Sequence, residues 1–332
     1  MLDIVGKRGW YFLISGLIIL PGLISLIIPL GGGGWASLDS GLKPGIEFTS
    51  GSILNITFER PVKESEIRER MDALGHSEAL IQKVGSRAVI VRTKVLKEAS
   101  AGGISERQLI QQDLDQRVAP IESASFDSVS PVVAAETVRN AAIALVVASL
   151  GIFLYIWYAF HRVPKAHRYA ASTILALVHD LLIMVGAFSI LGKTIDMEVN
   201  SMFIVALLTV AGYSVNDTIV VFDRIRENAL RHPERPLDTQ VNLSILETLG
   251  RCLNTNILIF IAVLAMLLLG GTSIRELLLA LAIGTVVGSY SSIFIAAQFL
   301  VIWDRGEIGK LLRRGRRAPA AATTALLHLI GR

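Results

Sequence analysis

The chain of 332 residues has one cysteine, Cys252, and that scarcity removes whole classes of architecture. No intramolecular disulfide can form, and no Cys/His cluster has the spacing of a zinc site, so neither a stapled scaffold nor a bound metal is expected. Aromatic residues make up 7% of the chain and charged residues 18%. Its basic segments are not interleaved with aromatics, which argues against a nucleic-acid surface. The stretch that reads as a soluble domain holds no Ser/His/Asp set and no Gly-rich phosphate loop, so a binding or contact module leads over an enzyme. His161 and His167, in a basic loop, read as solvated charges, and His76 and Glu78 read as surface residues.

What the chain does have is apolar residues, 52% of the total. They are gathered into runs of about 17 to 25, which is bilayer length at roughly 1.5 Å rise per residue. The fold class that follows is a polytopic α-helical membrane protein. Six spans are expected, over about 10–30, 138–160, 169–191, 202–222, 253–269 and 277–303. The first is read as uncleaved: it resembles a secretory signal, but Pro21-Gly22 interrupts a long apolar core and no small-x-small site follows. The net charge of +4 sits mostly in short loops and the tail. Lys7 and Arg8, the loop H-R-V-P-K-A-H-R and the tail 310–317 then fall on one side, the cytoplasm, with both termini. A loop of about thirty residues is expected from Asp223, carrying Arg224, Arg226, Arg231 and Arg235.

The domain division read this way is 1–34 for the amino end and first span, 35–134 for an extracytoplasmic domain, 135–304 for five further spans, and 305–332 for a basic tail. Within 35–134, strand-like alternation at 52–58, 78–84, 87–93 and 121–129 brackets helical periods at 62–74 and 105–118, the latter with Ser105 and Gln108 at capping-box spacing. That β-α-β-β-α-β order is the ferredoxin-like α+β arrangement, a fold that does not by itself specify a function.

The informative residues are the polar ones inside the spans. Asp217 lies within G-Y-S-V-N-D-T-I-V-V, about seven residues above the charged exit at Arg224. A carboxylate in hydrocarbon costs a few kcal/mol on insertion scales and therefore faces a partner or a wet cavity. Burial disfavours its anion and a nearby cation favours it, so such a group can change protonation as its surroundings change. Spans four and five are antiparallel, which makes Arg251, in T-L-G-R-C-L-N-T-N, the candidate cation, with Asn254, Thr255 and Asn256 as further donors and acceptors. His179 and Asp180 on span three read either as a structural pair or as part of the polar path. Asn200, Asn216 and Asn254 read as interhelical glue, and Gly212, Gly284, Gly288, Ser289, Ser291 and Ser292 as small-residue packing. Three functional classes are compatible with these features: an ion-driven machine whose bundle rocks when Asp217 titrates, a passive scaffold or assembly subunit, and half of a small-molecule transporter.

The membrane segments closely resemble the bacterial protein-export subunits of the SecF family, within the RND superfamily. The resemblance is carried by A-L-V-H-D-L-L-I-M-V-G-A-F, by T-V-A-G-Y-S-V-N-D-T-I-V-V-F-D-R-I-R-E-N, by L-G-R-C-L-N-T-N and by the run from G-G-T-S-I-R-E through span six, which together cover most of residues 169–303. It implies a six-span subunit of the bacterial cytoplasmic membrane that pairs with SecD at the SecYEG translocon. There it would use the proton-motive force to help unfolded preproteins through the late stage of export, with H⁺ as coupling ion and Na⁺ as the alternative, and with no other cofactor. The family's intramembrane aspartate and arginine fall on Asp217 and Arg251. One departure lies after span one, where the family usually has G-I-D-F-x-G-G and this chain has Glu47 and Ser50 within Gly45-Ile46-Glu47-Phe48-Thr49-Ser50-Gly51.

Overall fold

Leu54, Ile56 and Phe58 alternate with less buried neighbours along Gly51–Phe58 (β1), a period of two that gives the strand one buried face. In the computed structural model, which describes residues 2–28, 41–98, 104–195, 197–270 and 274–307, β1 lies inside a four-stranded antiparallel sheet. The other strands are Leu80–Val84 (β2), Ala88–Thr93 (β3) and Ile121–Val129 (β4), in the order β2-β3-β1-β4. Helices Glu64–Ala73 (α3) and Glu106–Arg117 (α4) bring Ile67, Met71, Ile110 and Leu114 into one core with β1 and β3. The order is the expected ferredoxin-like one, and the Ser105/Gln108 capping box forms in both directions.

One surface expectation fails in this domain. His76 is 7% exposed, because the tight turn that closes α3, with His76 N donating to Met71 O, turns the ring in against Thr93. At the root of the sheet a single helical turn, Ile46–Thr49 (α2), leads into Ser50 at φ +64° and Gly51 at φ +134°. The segment before α2 and strand β3 are both stitched to residues 198–199: Gly45 N donates to Val199 O, Val199 N donates to Lys43 O, and Arg92 of β3 forms an ion pair with Glu198.

Among the described residues, six helical segments are long and apolar enough to cross a bilayer. They are Arg8–Ile27 (α1, preceded by a 3₁₀ turn), Pro131–Ala159 (α5), Ala166–Thr194 (α6), Ser201–Arg231 (α7), Leu237–Leu269 (α8) and a sixth composed of Arg275–Ser291 (α9), a π turn at Ser292–Ala296 and Ala297–Asp304 (α10). The thirty-residue loop expected after Asp223 does not exist. Helix α7 runs on to Arg231, a short turn containing Pro233 and Pro236 follows, and α8 starts at Leu237. The reason is amphipathicity: Val241, Ser244, Ile245, Thr248 and Cys252 recur at helical spacing and are buried, so the polar stretch before the apolar run is helix too. Most of the expected basic tail lies outside the described residues.

The chain divides into two units. One holds Met1–Pro21, Val146–Val185 and the chain from Val205 on; the other holds Gly22–Leu145 and Gly186–Ile204. In the first, Phe160, Tyr169 and Phe222 stack and meet edge-on at centroid distances of 5.3 to 6.3 Å at the centre of a buried apolar cluster. Helices α7 and α9 approach closely, since a Cβ on Gly288 would sit 3.0 Å from Ser214 Cβ, and one on Gly284 would overlap Val210.

Candidate functional site: a buried carboxylate and its polar neighbours

The register of α7 against α8 decides what Asp217 meets. Arg224 Nε donates to Glu247 at 2.6 Å and Asn228 Nδ2 donates to Ser244 at 2.9 Å, so each step forward on α7 is matched by a step back on α8. Continued inward, that register brings Asn256 opposite Asp217, and Asn256 Nδ2 donates to Asp217 Oδ2. The same amide reaches Cys252 O at 2.9 Å and Ser289 Oγ of α9 at 3.0 Å. Asp217 is 4% exposed, near the middle of α7. Beside Asn256, a groove of about 470 Å³ opens between α8 and α9, lined by Leu253, Phe260, Ser289 and Phe294 among others.

Arg251 is not brought to Asp217. It lies more than a turn away from Asn256 along α8, with its side chain exposed, and makes no ion pair among the described residues. Asn216, Asn254 and Thr255 are exposed as well, and Thr255 Oγ1 donates back to Arg251 O at 3.0 Å within its own helix. The expected glue at Asn216 and Asn254 therefore has no interhelical hydrogen bond among the described residues.

His179 and Asp180 are brought into a second cluster. Asp180 is fully buried, with its Oδ1 3.0 Å from His179 Nδ1, and its Oδ2 accepts from Ser214 Oγ of α7 at 2.6 Å and from Ser291 Oγ of α9 at 2.8 Å. Ser292 Oγ donates to Ser214 O at 2.8 Å and Thr218 Oγ1 donates to Ser292 Oγ at 2.9 Å. Ser291 and Ser292, read from sequence as packing, thus also hydrogen-bond across α7 and α9, at the point where the α-helix gives way to the π turn. His179 Nε2 lies 3.0 Å from Ser15 Oγ of α1, a partner with no signal in the sequence, since one serine in an apolar run reads as nothing. Among the described residues no group of three or more His, Cys, Asp or Glu is arranged to hold a metal ion. A carboxylate, an imidazole and hydroxyls at these distances can exchange a proton.

Residues 110–306 match the family model described as protein export membrane protein SecD/SecF, C-terminal. The chain is 40% identical to the protein translocase subunit SecF of Thermobaculum terrenum, over 98% of this chain and 100% of that one. It is 35% identical to the SecF subunit of Anaerolinea thermophila, over 97% and 100%. Among solved structures, SecDF from Thermus thermophilus, a translocon-associated membrane protein, matches with a TM-score of 0.73 and 29% identity over 92% of this chain. The match spans 39% of that longer chain. On its sequence, its helices and its sheet, the chain belongs to the SecF family of protein translocase subunits.

Proposed function

We propose that this chain is the proton-driven partner of a SecD-type subunit in the bacterial cytoplasmic membrane. Both termini are cytoplasmic, and the pair promotes late translocation of unfolded preproteins delivered through the SecYEG channel. The observation that carries the reading is Asp217: a carboxylate buried within the fourth span, held by a neutral amide, with no cation paired to it among the described residues. A strut would be expected to close its charge with a salt bridge. An amide instead satisfies either form of the group, so the site tolerates gain and loss of a proton. Arg251, on the exposed face of α8, is the cation that biases this step when the partner subunit covers that face.

One elementary charge crossing 100 mV supplies roughly 2.3 kcal/mol, a bias of about fifty-fold on a two-state element. Helix α7 is the element to bias, since the stretch just before it is bonded to the root of the sheet domain through Val199 and Glu198. A change in α7 is then felt by the domain that handles the preprotein. The test is export into vesicles with an imposed proton gradient. Asp217→Asn is expected to abolish stimulation by the gradient while membrane insertion and assembly stay at the wild-type level. Export at the wild-type rate overturns the proton-driven reading, and stimulation by a Na⁺ gradient alone reassigns the ion.

A further inference from the structure

We propose that His179 is a second proton-holding site in the membrane bundle, with Asp180 as its counter-charge and Ser15 as a hydroxyl switch. As a contributor to coupling this rests on the proton-driven reading above; as a proton-holding site it stands alone. Asp180 faces three donors, from His179, Ser214 and Ser291, which is the arrangement an ionised carboxylate satisfies as acceptor only. With Nδ1–H committed to Asp180, the state of the ring is decided at Nε2, whose neighbour is Ser15 Oγ at 3.0 Å. A hydroxyl suits both states of that nitrogen.

In the neutral ring, Ser15 donates to Nε2. In the imidazolium, Nε2–H donates to Ser15 Oγ, and the serine hydroxyl turns to Tyr290 Oη, 3.5 Å away. Tyr290 is free to accept because its own proton is given to Tyr11 O at 2.8 Å. One proton gained at Nε2 from the aqueous phase, or returned to it, is therefore accommodated by rotating a single hydroxyl, while every donor and acceptor in the chain keeps a partner. The ring is 7% exposed and lies 6.2 Å from the Tyr290 ring at 26°, which fixes its plane. The groups that face the pair are Ser15 from α1, Ser214 from α7, with Asp217 one turn further on, and Tyr290 and Ser291 from α9; no Lys or Arg is paired to it among the described residues.

The position suits coupling. Ser214 and Ser291 hold Asp180, while Asp217 and Ser289, on the same two helices, belong to the Asn256 cluster. Charge gained at His179 is thus felt by the helices that carry the first site.

Nitrogen-15 NMR of histidine rings tests this in the full chain assembled with its partner subunit in lipid bilayers, the His179 signal being the one lost in His179→Asn. The expected result is an Nε2 that changes from unprotonated to protonated as pH is lowered from 9 to 5, with Nδ1 protonated throughout. Ser15→Ala removes a hydrogen bond from both states, and the charge-assisted one to the cation is the stronger, so the midpoint shifts to lower pH by about one unit, a tenfold loss of proton affinity; Ser15→Thr restores it. Asp180→Asn shifts the midpoint further in the same direction. An Nε2 locked in one state from pH 5 to 9 in the wild type, or a midpoint unmoved by Ser15→Ala, overturns the proposal. A normal His179 transition in a protein whose export ignores Asp217→Asn defeats the proton-driven function and leaves this site standing.

Discussion

Asp113 and Arg70 show how one residue pair sets a pH dependence outside the membrane. Arg70 donates through Nε and Nη2, each at 2.7 Å, and these bonds hold the Asp113 carboxyl below its ordinary range. A carboxyl that titrates lower in the folded state contributes stability that is fully present above its unfolded value, about 3.9, and is lost as pH falls through the lower folded value. Amide protection of α3 and α4, corrected for intrinsic exchange, should therefore decline below about pH 4 in the wild type. In Asp113→Asn it should start lower at neutral pH and show less of that decline, which hydrogen exchange on the full chain measures. Which residues carry polar chemistry was legible in the membrane too: Asp217, His179 and Asp180 stand out because charge in an apolar run is costly. Their partners were less so. Axial register between two helices is a packing outcome, and a shift of more than one turn gives Asp217 the amide of Asn256 in place of the cation Arg251.

Among the elements, those with their own local code were readable. The capping box at Ser105, the alternating strands and the long apolar spans form where the pattern predicts, because caps, pleats and bilayer length are set by neighbouring residues. The start of α8 was hidden because hydropathy reports the apolar part of a helix and is blind to an amphipathic extension. The π turn at Ser292–Ala296 likewise has no periodic signature. Close packing of α7 on α9 yields a prediction of its own. Gly288→Val adds atoms where a Cβ already meets Ser214 at 3.0 Å, and overpacking of this kind costs about 1 to 3 kcal/mol. A Cβ at Gly212 meets nothing within 4 Å, so Gly212→Ala is expected to be neutral or stabilising by up to about 1 kcal/mol. Thermal midpoints of the two variants in detergent check the contrast; equal midpoints would refute the packing argument.

For the molecule as a whole, hydropathy and strand order made the architecture readable: six spans among the described residues with one ferredoxin-like insertion, a fold that the solved SecDF structure matches over 92% of the chain. The stitch that joins the sheet's root to the stretch before α7, through Gly45, Val199, Arg92 and Glu198, was not readable, because its members are more than a hundred residues apart and carry no shared pattern. On the proposed reading, it is the link through which protonation on α7 would reach the sheet domain. The most direct measurement is proton flux into proteoliposomes loaded with a pH dye, containing the chain with its SecD-type partner, under an imposed membrane potential. Flux is expected in the wild type, with loss of most of it in Asp217→Asn at equal protein density. Equal flux in the two, or none in the wild type while export still responds to the gradient, would contradict it.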